Sequence, residues 1–247
     1  MPWRHWRLEG DPFADAGSAF VATPAHVEAT ERLAFAVEAA ERLAVLEAPA
    51  GLGKSVVLAR AFARAKGPSR RLARVVGPAD GDALATGLAE ALGRRVSGRD
   101  SAWRRLAEAL RLCRAQRLAV TLAIDDAHAL ADPDAIDRLL RLDPAATLLL
   151  VGRGPLPEAP WSLRVRLAAL TRSEADLYLS QKLTFAGRPE PTFTPRAVTL
   201  LHSLSAGNPR GLDRLAALSL LAGSARRLEI ITPDVVEGVA GECVVVS

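Results

Sequence analysis

The octapeptide Ala48-Pro49-Ala50-Gly51-Leu52-Gly53-Lys54-Ser55 has the residue types and spacing of a loop that binds the phosphates of a nucleoside triphosphate. A phosphate cradle needs consecutive backbone N–H groups turned inward, which demands residues that accept unusual φ, here Gly51 and Gly53. It also needs a helix N-terminus aimed at the anion, and the helix expected from Lys54 supplies one. In this chemistry Lys54 reaches the β- and γ-phosphates and Ser55 ligates Mg²⁺. The contacting stretch is expected to run from Ala48 to Val56, with ATP and Mg²⁺ as cofactors. Ala48, where such loops often have Gly, adds a methyl at the loop entrance that should be tolerated.

A second cluster lies in Leu122-Ala123-Ile124-Asp125-Asp126-Ala127-His128. Asp125 closes an apolar run that reads as a buried strand, and the carboxyl end of such a strand is where open α/β sheets place ligands. Asp125 is expected to hold Mg²⁺ through water and Asp126 to polarise the attacking water. The alternative is that both carboxylates cap the following turn.

The surrounding pattern alternates short apolar runs with longer amphipathic ones, as a parallel sheet with covering helices requires. Strands are expected at 43–47, 72–76, 118–125 and 146–151, with a last one over 162–168. Helices are expected from Thr23-Pro24 to about Glu41, then over 54–65, 80–92, 102–116 and 132–142. Beyond residue 170 the pattern changes. Thr171-Arg172-Ser173-Glu174 is a capping box, and Thr194-Pro195, Asn208-Pro209 and Thr232-Pro233 are three N-cap-plus-Pro helix starts. The expectation is an α/β core over 1–170, with residues 1–23 as its arm, and an all-α lid over 171–247.

With 49% apolar residues the 247-residue chain can bury a sizeable core. Neither the N-terminal segment nor the longest apolar runs suit a signal peptide or a membrane span, so a soluble cytoplasmic protein with no membrane partner is expected. Cys113 and Cys243 and the four His residues are too scattered for a disulfide framework or a metal site. The charge of +4 is carried almost wholly by Arg, since only Lys54, Lys66 and Lys182 are lysines. That allows weak attraction for anions and no more.

The loop, the Asp125-Asp126-Ala127-His128 tetrad, the strand end Leu149-Leu150-Val151-Gly152-Arg153 and the turn Gly207-Asn208-Pro209-Arg210 together resemble AAA+ ATPases of the ExeA/TniB group, related to the origin-recognition and MuB/TnsC-type ATPases. Asp11-Pro12-Phe13, Phe20-Val21, Phe193-Thr194 and Ile231-Thr232-Pro233 extend the resemblance over nearly the whole chain. It implies an ASCE-type P-loop NTPase sheet with a helical lid, and ATP-dependent self-association. By the same resemblance Arg210 is the sensor-2 arginine, Arg153 stands at the sensor-1 position, and Arg164 or Arg166 is the arginine finger. Two departures stand out: Asp126 replaces the usual Glu, and Arg153 replaces a polar, often amide, residue. Slow hydrolysis with intact binding is the expectation.

Relatives serving secretion carry a membrane span and a cell-wall-binding region past the lid, and neither is legible in these residues. Relatives serving transposition are of about this size and assemble on DNA. The stretch from Gly93 to Arg105, with Arg94, Arg95, Arg99 and Trp103, could track a phosphate backbone or be a solvated loop with Trp103 in the core. Three roles follow: an ATPase that assembles or remodels a protein complex, one that acts on DNA, and a scaffold with negligible turnover. No protein partner is legible.

Overall fold

The computed structural model describes residues 2–14, 21, 23–94, 101–132, 134–157, 159 and 162–242. After a four-residue helix α1 (Pro2–His5), the chain runs through α2 (Pro24–Glu38), β1 (Leu43–Glu47), α3 (Lys54–Ala65), β2 (Arg70–Val76), α4 (Gly81–Ala91) and α5 (Ala102–Ala115). Then come β3 (Ala119–Asp125), a 3-10 turn (Ala127–Ala129), α6 (Asp134–Leu142), β4 (Thr147–Gly152) and β5 (Leu163–Arg166). Four helices follow: α7 (Arg172–Phe185), α8 (Pro195–Ser205), α9 (Pro209–Ala225) and α10 (Pro233–Glu242). The chain divides into two compact units, one of residues 24–167 and one that joins 1–23 to 168–247.

The first unit is a five-stranded parallel sheet in the order β2-β3-β4-β1-β5. Strand side chains alternate between faces, and the burial follows that period. Leu43 and Val45 of β1 and Leu148 and Leu150 of β4 enter one core cluster with Leu84, Leu88, Leu106 and Leu139 of α4, α5 and α6. Their neighbours Ala44, Leu46, Leu149 and Val151 enter another, with Leu33 and Val37 of α2 and Val57 and Leu58 of α3. With both faces covered, the central strands are apolar at nearly every position, which explains the long apolar runs in the sequence.

β1 and α3 have the expected limits, and the other elements of the sheet unit differ at their ends by a few residues. Helix α2 stops at Glu38 instead of near Glu41. Ala40 takes a left-handed φ of 54° and the Glu41 N–H returns to the Ala36 carbonyl at 2.9 Å, the closure that ends many helices. Asp80 is the N-cap of α4, accepting the Ala83 N–H at 2.8 Å.

The second unit is helical, and its starts follow the expected chemistry. Thr171 and Glu174 form the capping box of α7, Thr194 caps α8 and Asn208 caps α9. A parallel bridge between Phe193 and Ile231 is an addition the sequence pattern does not announce. Residues 1–23 require a correction, since they group with this unit and are not an arm of the sheet. Trp6, Leu8, Phe13 and Val21 join its core with Leu179, Leu201, Leu212 and Leu220. The Trp6 indole N–H donates to the Leu220 carbonyl at 2.8 Å, and a Cβ at Gly223 would come within 2.8 Å of the Trp6 ring. Burial of that aromatic surface outweighs the charged appearance of the segment.

Phe20 and the tail Cys243-Val244-Val245-Val246 lie outside the described residues. Among the described residues no helix is long and apolar enough to cross a membrane.

Candidate nucleotide-binding site

Loop 48–53 leaves the carboxyl end of β1 and runs straight into α3. Gly51 and Gly53 have φ of 83° and 86°, the left-handed values that side-chain-bearing residues avoid. Gly53 is the N-cap of α3 and offers no side-chain cap; its carbonyl accepts the Val56 and Val57 N–H groups at 3.0 Å each. Lys54, only 7% exposed, folds its ammonium back over the loop and donates to the carbonyls of Ala48 and Pro49 at 2.8 Å each. Ser55 and Val56 follow on the exposed side of the first turn. His26 of α2, in sequence only one of four scattered histidines, places Nε2 at 3.0 Å from the Leu52 carbonyl oxygen.

Asp125 ends β3 with its carboxylate fully buried. Its Oδ1 accepts the Asp126 N–H at 3.1 Å, and its Oδ2 is paired with the Arg74 guanidinium from β2. Arg74 is a residue that the sequence reading missed. Val76 stands opposite Asp125 in the register, and Arg74 lies two residues earlier on the same face. A carboxylate has about four acceptor sites, so these two partners still leave capacity for a metal or its water. Asp125 and the Ser55 hydroxyl are hard oxygen donors of the kind Mg²⁺ takes beside phosphate, and the loop and its donors fit a Mg²⁺-nucleotide.

Asp126 has a left-handed φ of 55°, and its side chain, 50% exposed, makes no capping bond to the 3-10 turn. The capping alternative therefore fails for Asp126. Its Oδ1 lies 4.0 Å from His128 Nδ1, which also receives the Arg153 N–H at 3.5 Å. Arg153 follows the last residue of β4 with its side chain exposed.

The two candidate finger residues differ in surroundings. Both lie on one face of β5 and turn toward Glu47, the buried last residue of β1. Arg164, 21% exposed, donates to Glu47 Oε1 at 2.6 Å, and that oxygen also takes the Leu156 N–H at 3.1 Å. Arg166 is 77% exposed and only approaches Glu47 Oε2, at 3.8 Å. Arg164 is thus a tie between strands, and Arg166 is much the more exposed of the two. Burial by itself raises the Glu47 pKa, but the Leu156 N–H and the Arg164 and Arg166 guanidiniums outweigh it and hold the carboxyl below its ordinary 4.5. A lowered folded-state pKa gives stability that is complete above 4.5 and lost as the pH falls through the folded value. Glu47→Gln should therefore melt below wild type at neutral pH, and the gap should close in melts taken below pH 4.5.

Arg210 belongs to the helical unit, in the first turn of α9, exposed, with its N–H bonded to Asn208 Oδ1 at 3.0 Å. Of the cations expected to meet DNA, Arg94 is exposed just after α4, whereas Arg95 and Arg99 lie outside the described residues. Trp103 is in the core, with the Arg138 guanidinium 4.1 Å from its ring centroid, so it offers no stacking face to that loop.

A parallel sheet in this order, with a glycine-bearing loop between β1 and α3 and an aspartate ending β3, is the P-loop NTPase fold in its AAA+ form. Residues 37–158 match the family model of the AAA domain. Among curated proteins the chain is 38% identical over 63 residues to general secretion pathway protein A of Aeromonas hydrophila, an alignment covering 26% of this chain and 12% of that protein. The chain thus corresponds to only a small part of that relative. Among solved structures it resembles Cdc6p from Pyrobaculum aerophilum, with a TM-score of 0.76 at 19% identity over 95% of this chain and 71% of that one. It also resembles the ORC2 protein of Aeropyrum pernix in its ADPNP–ADP complexes, with a TM-score of 0.70 at 14% identity over 95% and 72% of the two chains.

Proposed function

We propose that this chain binds ATP with Mg²⁺ on loop 48–55, hydrolyses it slowly, and uses the bound nucleotide to govern its self-association. The observation that carries the reading is the left-handed pair Gly51 and Gly53 in a loop that ends on the uncapped N-terminus of α3. Those N–H groups, with Lys54, take the β- and γ-phosphates. Mg²⁺, when bound, neutralises phosphate charge as it develops on the leaving group. Ser55 and Asp125 would hold it, and Arg74 keeps the Asp125 carboxylate from turning. Asp126, half exposed and making no side-chain capping bond to the turn it opens, orients and polarises the attacking water. Arg210 is the sensor-2 arginine that the resemblance implies, Arg153 occupies the sensor-1 position, and Arg166 serves the nucleotide of a neighbouring copy.

The nucleotide-bearing ORC2 likeness supports the binding reading, and the AAA domain match supports ATP-driven activity in general. The short identity with general secretion pathway protein A supports placement in the ExeA/TniB group.

Light scattering across a concentration series, with and without a non-hydrolysable ATP analogue, tests the assembly. Wild type should enlarge with the analogue, and ATP turnover per chain should rise with protein concentration. Arg166→Ala should bind nucleotide normally but lose that rise. Arg164→Ala should instead lower stability by about 2 kcal/mol, because it strips a charge-assisted bond from the buried Glu47. A chain that stays monomeric with the analogue at every concentration, or an Arg166→Ala variant whose turnover follows wild type, would overturn the assembly reading. A duplex DNA arm in the same series reads whether DNA, and not nucleotide alone, drives enlargement.

A further inference from the structure

His26 is 5% exposed in the first turn of α2, and its Nε2 lies 3.0 Å from the Leu52 carbonyl oxygen. A carbonyl oxygen only accepts, so Nε2 carries the proton and donates. The imidazole also covers the next residue: a Cβ built on Gly53 would lie 2.8 Å from Nε2. Gly53 is therefore fixed twice, by its φ of 86° and by the ring packed on its Cα.

The consequence for the loop follows from peptide geometry. The Leu52 C=O and the Gly53 N–H belong to one planar trans peptide and point in opposite directions. With the carbonyl turned to His26, the Gly53 N–H is turned away from it, toward the inside of the loop. A peptide next to a glycine can otherwise rotate at little cost, because Gly accepts φ of either sign. The rotated peptide would aim a carbonyl oxygen where the phosphates belong.

We propose that His26 is a positioning residue for phosphate binding, holding the Leu52–Gly53 peptide so that the Gly53 N–H faces the anion. The inference rests on the reading of loop 48–55 as the ATP site. His26 acts through the loop peptide that it holds.

The test is a titration of the full chain with a fluorescent ATP analogue and Mg²⁺, with melting of the nucleotide-free protein alongside. His26→Phe keeps the ring volume and removes the donor. It should weaken binding by about fivefold to tenfold, the worth of about one hydrogen bond, while the nucleotide-free melting temperature moves little. His26→Gln, whose amide can reach the same carbonyl, should recover most of the affinity, and the shorter His26→Asn should not. If His26→Phe fails to fold, the Gln and Asn pair carries the comparison. Wild-type affinity in His26→Phe, or equal affinities in Gln and Asn, overturns the role of His26 and leaves the site standing. Absence of binding by wild type, or undiminished binding by Lys54→Ala, overturns the site and this role with it.

Discussion

Lys54→Ala is expected to weaken ATP binding by about a hundredfold or more while leaving the fold in place. Two causes add. The ammonium supplies charge-assisted hydrogen bonds to phosphate, each worth about 1.5–3 kcal/mol, and two such bonds exceed the 2.7 kcal/mol or so that a hundredfold represents. The same ammonium holds the loop in shape without ligand, through the Ala48 and Pro49 carbonyls. Its removal loosens the cradle as well as discharging it, so Lys54→Met, which keeps most of the buried stem, should lose nearly as much affinity. The measurement is calorimetric titration, with thermal melting as a second reading. At a nucleotide concentration about a hundred times its Kd, wild type gains about 2.7 kcal/mol of stability, and the variant should gain almost none. Equal stabilisation of both proteins would place the nucleotide elsewhere.

What the sequence discloses and what it conceals divide along a physical line. The left-handed Gly51 and Gly53, the limits of β1 and α3, and the caps at Thr171, Thr194 and Asn208 are set by neighbouring residues, and they are legible. The apolar runs of β3 and β4 are legible too, because a strand covered on both faces has few polar positions to confuse the pattern. The residues that hold the site in place are of another kind. Glu47 meets Arg164 across 117 residues, Asp125 meets Arg74 across 51, and His26 meets Leu52 across 26. The first two pairs depend on strand order and register and the third on helix packing, and no local spacing encodes either. Arg74 is one of several arginines around β2 until β2 is laid beside β3 with Val76 opposite Asp125. His26 looks like a scattered histidine until α2 is packed on α3.

The same division separates Arg164 from Arg166. As alternating strand residues they are equivalent in sequence, and both face Glu47. Register decides between them: Arg166 pairs with Glu47 across the strands at the very end of β5, where its side chain runs out into solvent. Arg164 lies one step further in, and its guanidinium closes on the buried carboxylate. One arginine is therefore held by the fold, and the other stays largely exposed.

Asp126→Asn should lower hydrolysis by about a hundredfold and leave nucleotide affinity within about twofold, the range expected when a positioned base is lost without its hydrogen-bonding shape. The substitution is a clean one here. Asp126 takes a φ of 55°, and Asn tolerates that left-handed backbone as well as Asp does. The same angle bears on why an aspartate stands where the related ATPases usually carry Glu. A Glu at this position pays the full left-handed penalty of about 1 kcal/mol, which in a chain of this size lowers the melting temperature by a few degrees. What it would gain is reach, because its carboxylate extends about one methylene further, and a 1 Å improvement in placement can be worth about a hundredfold in rate. Asp126→Glu should therefore be a less stable and faster enzyme, and single-turnover assays beside thermal melts read both effects at once. Brisk wild-type turnover that Asp126→Asn leaves unchanged would remove Asp126 from the mechanism. A Glu variant that is slower as well as less stable would instead mean that the left-handed backbone, and not side-chain length, sets the position of the base.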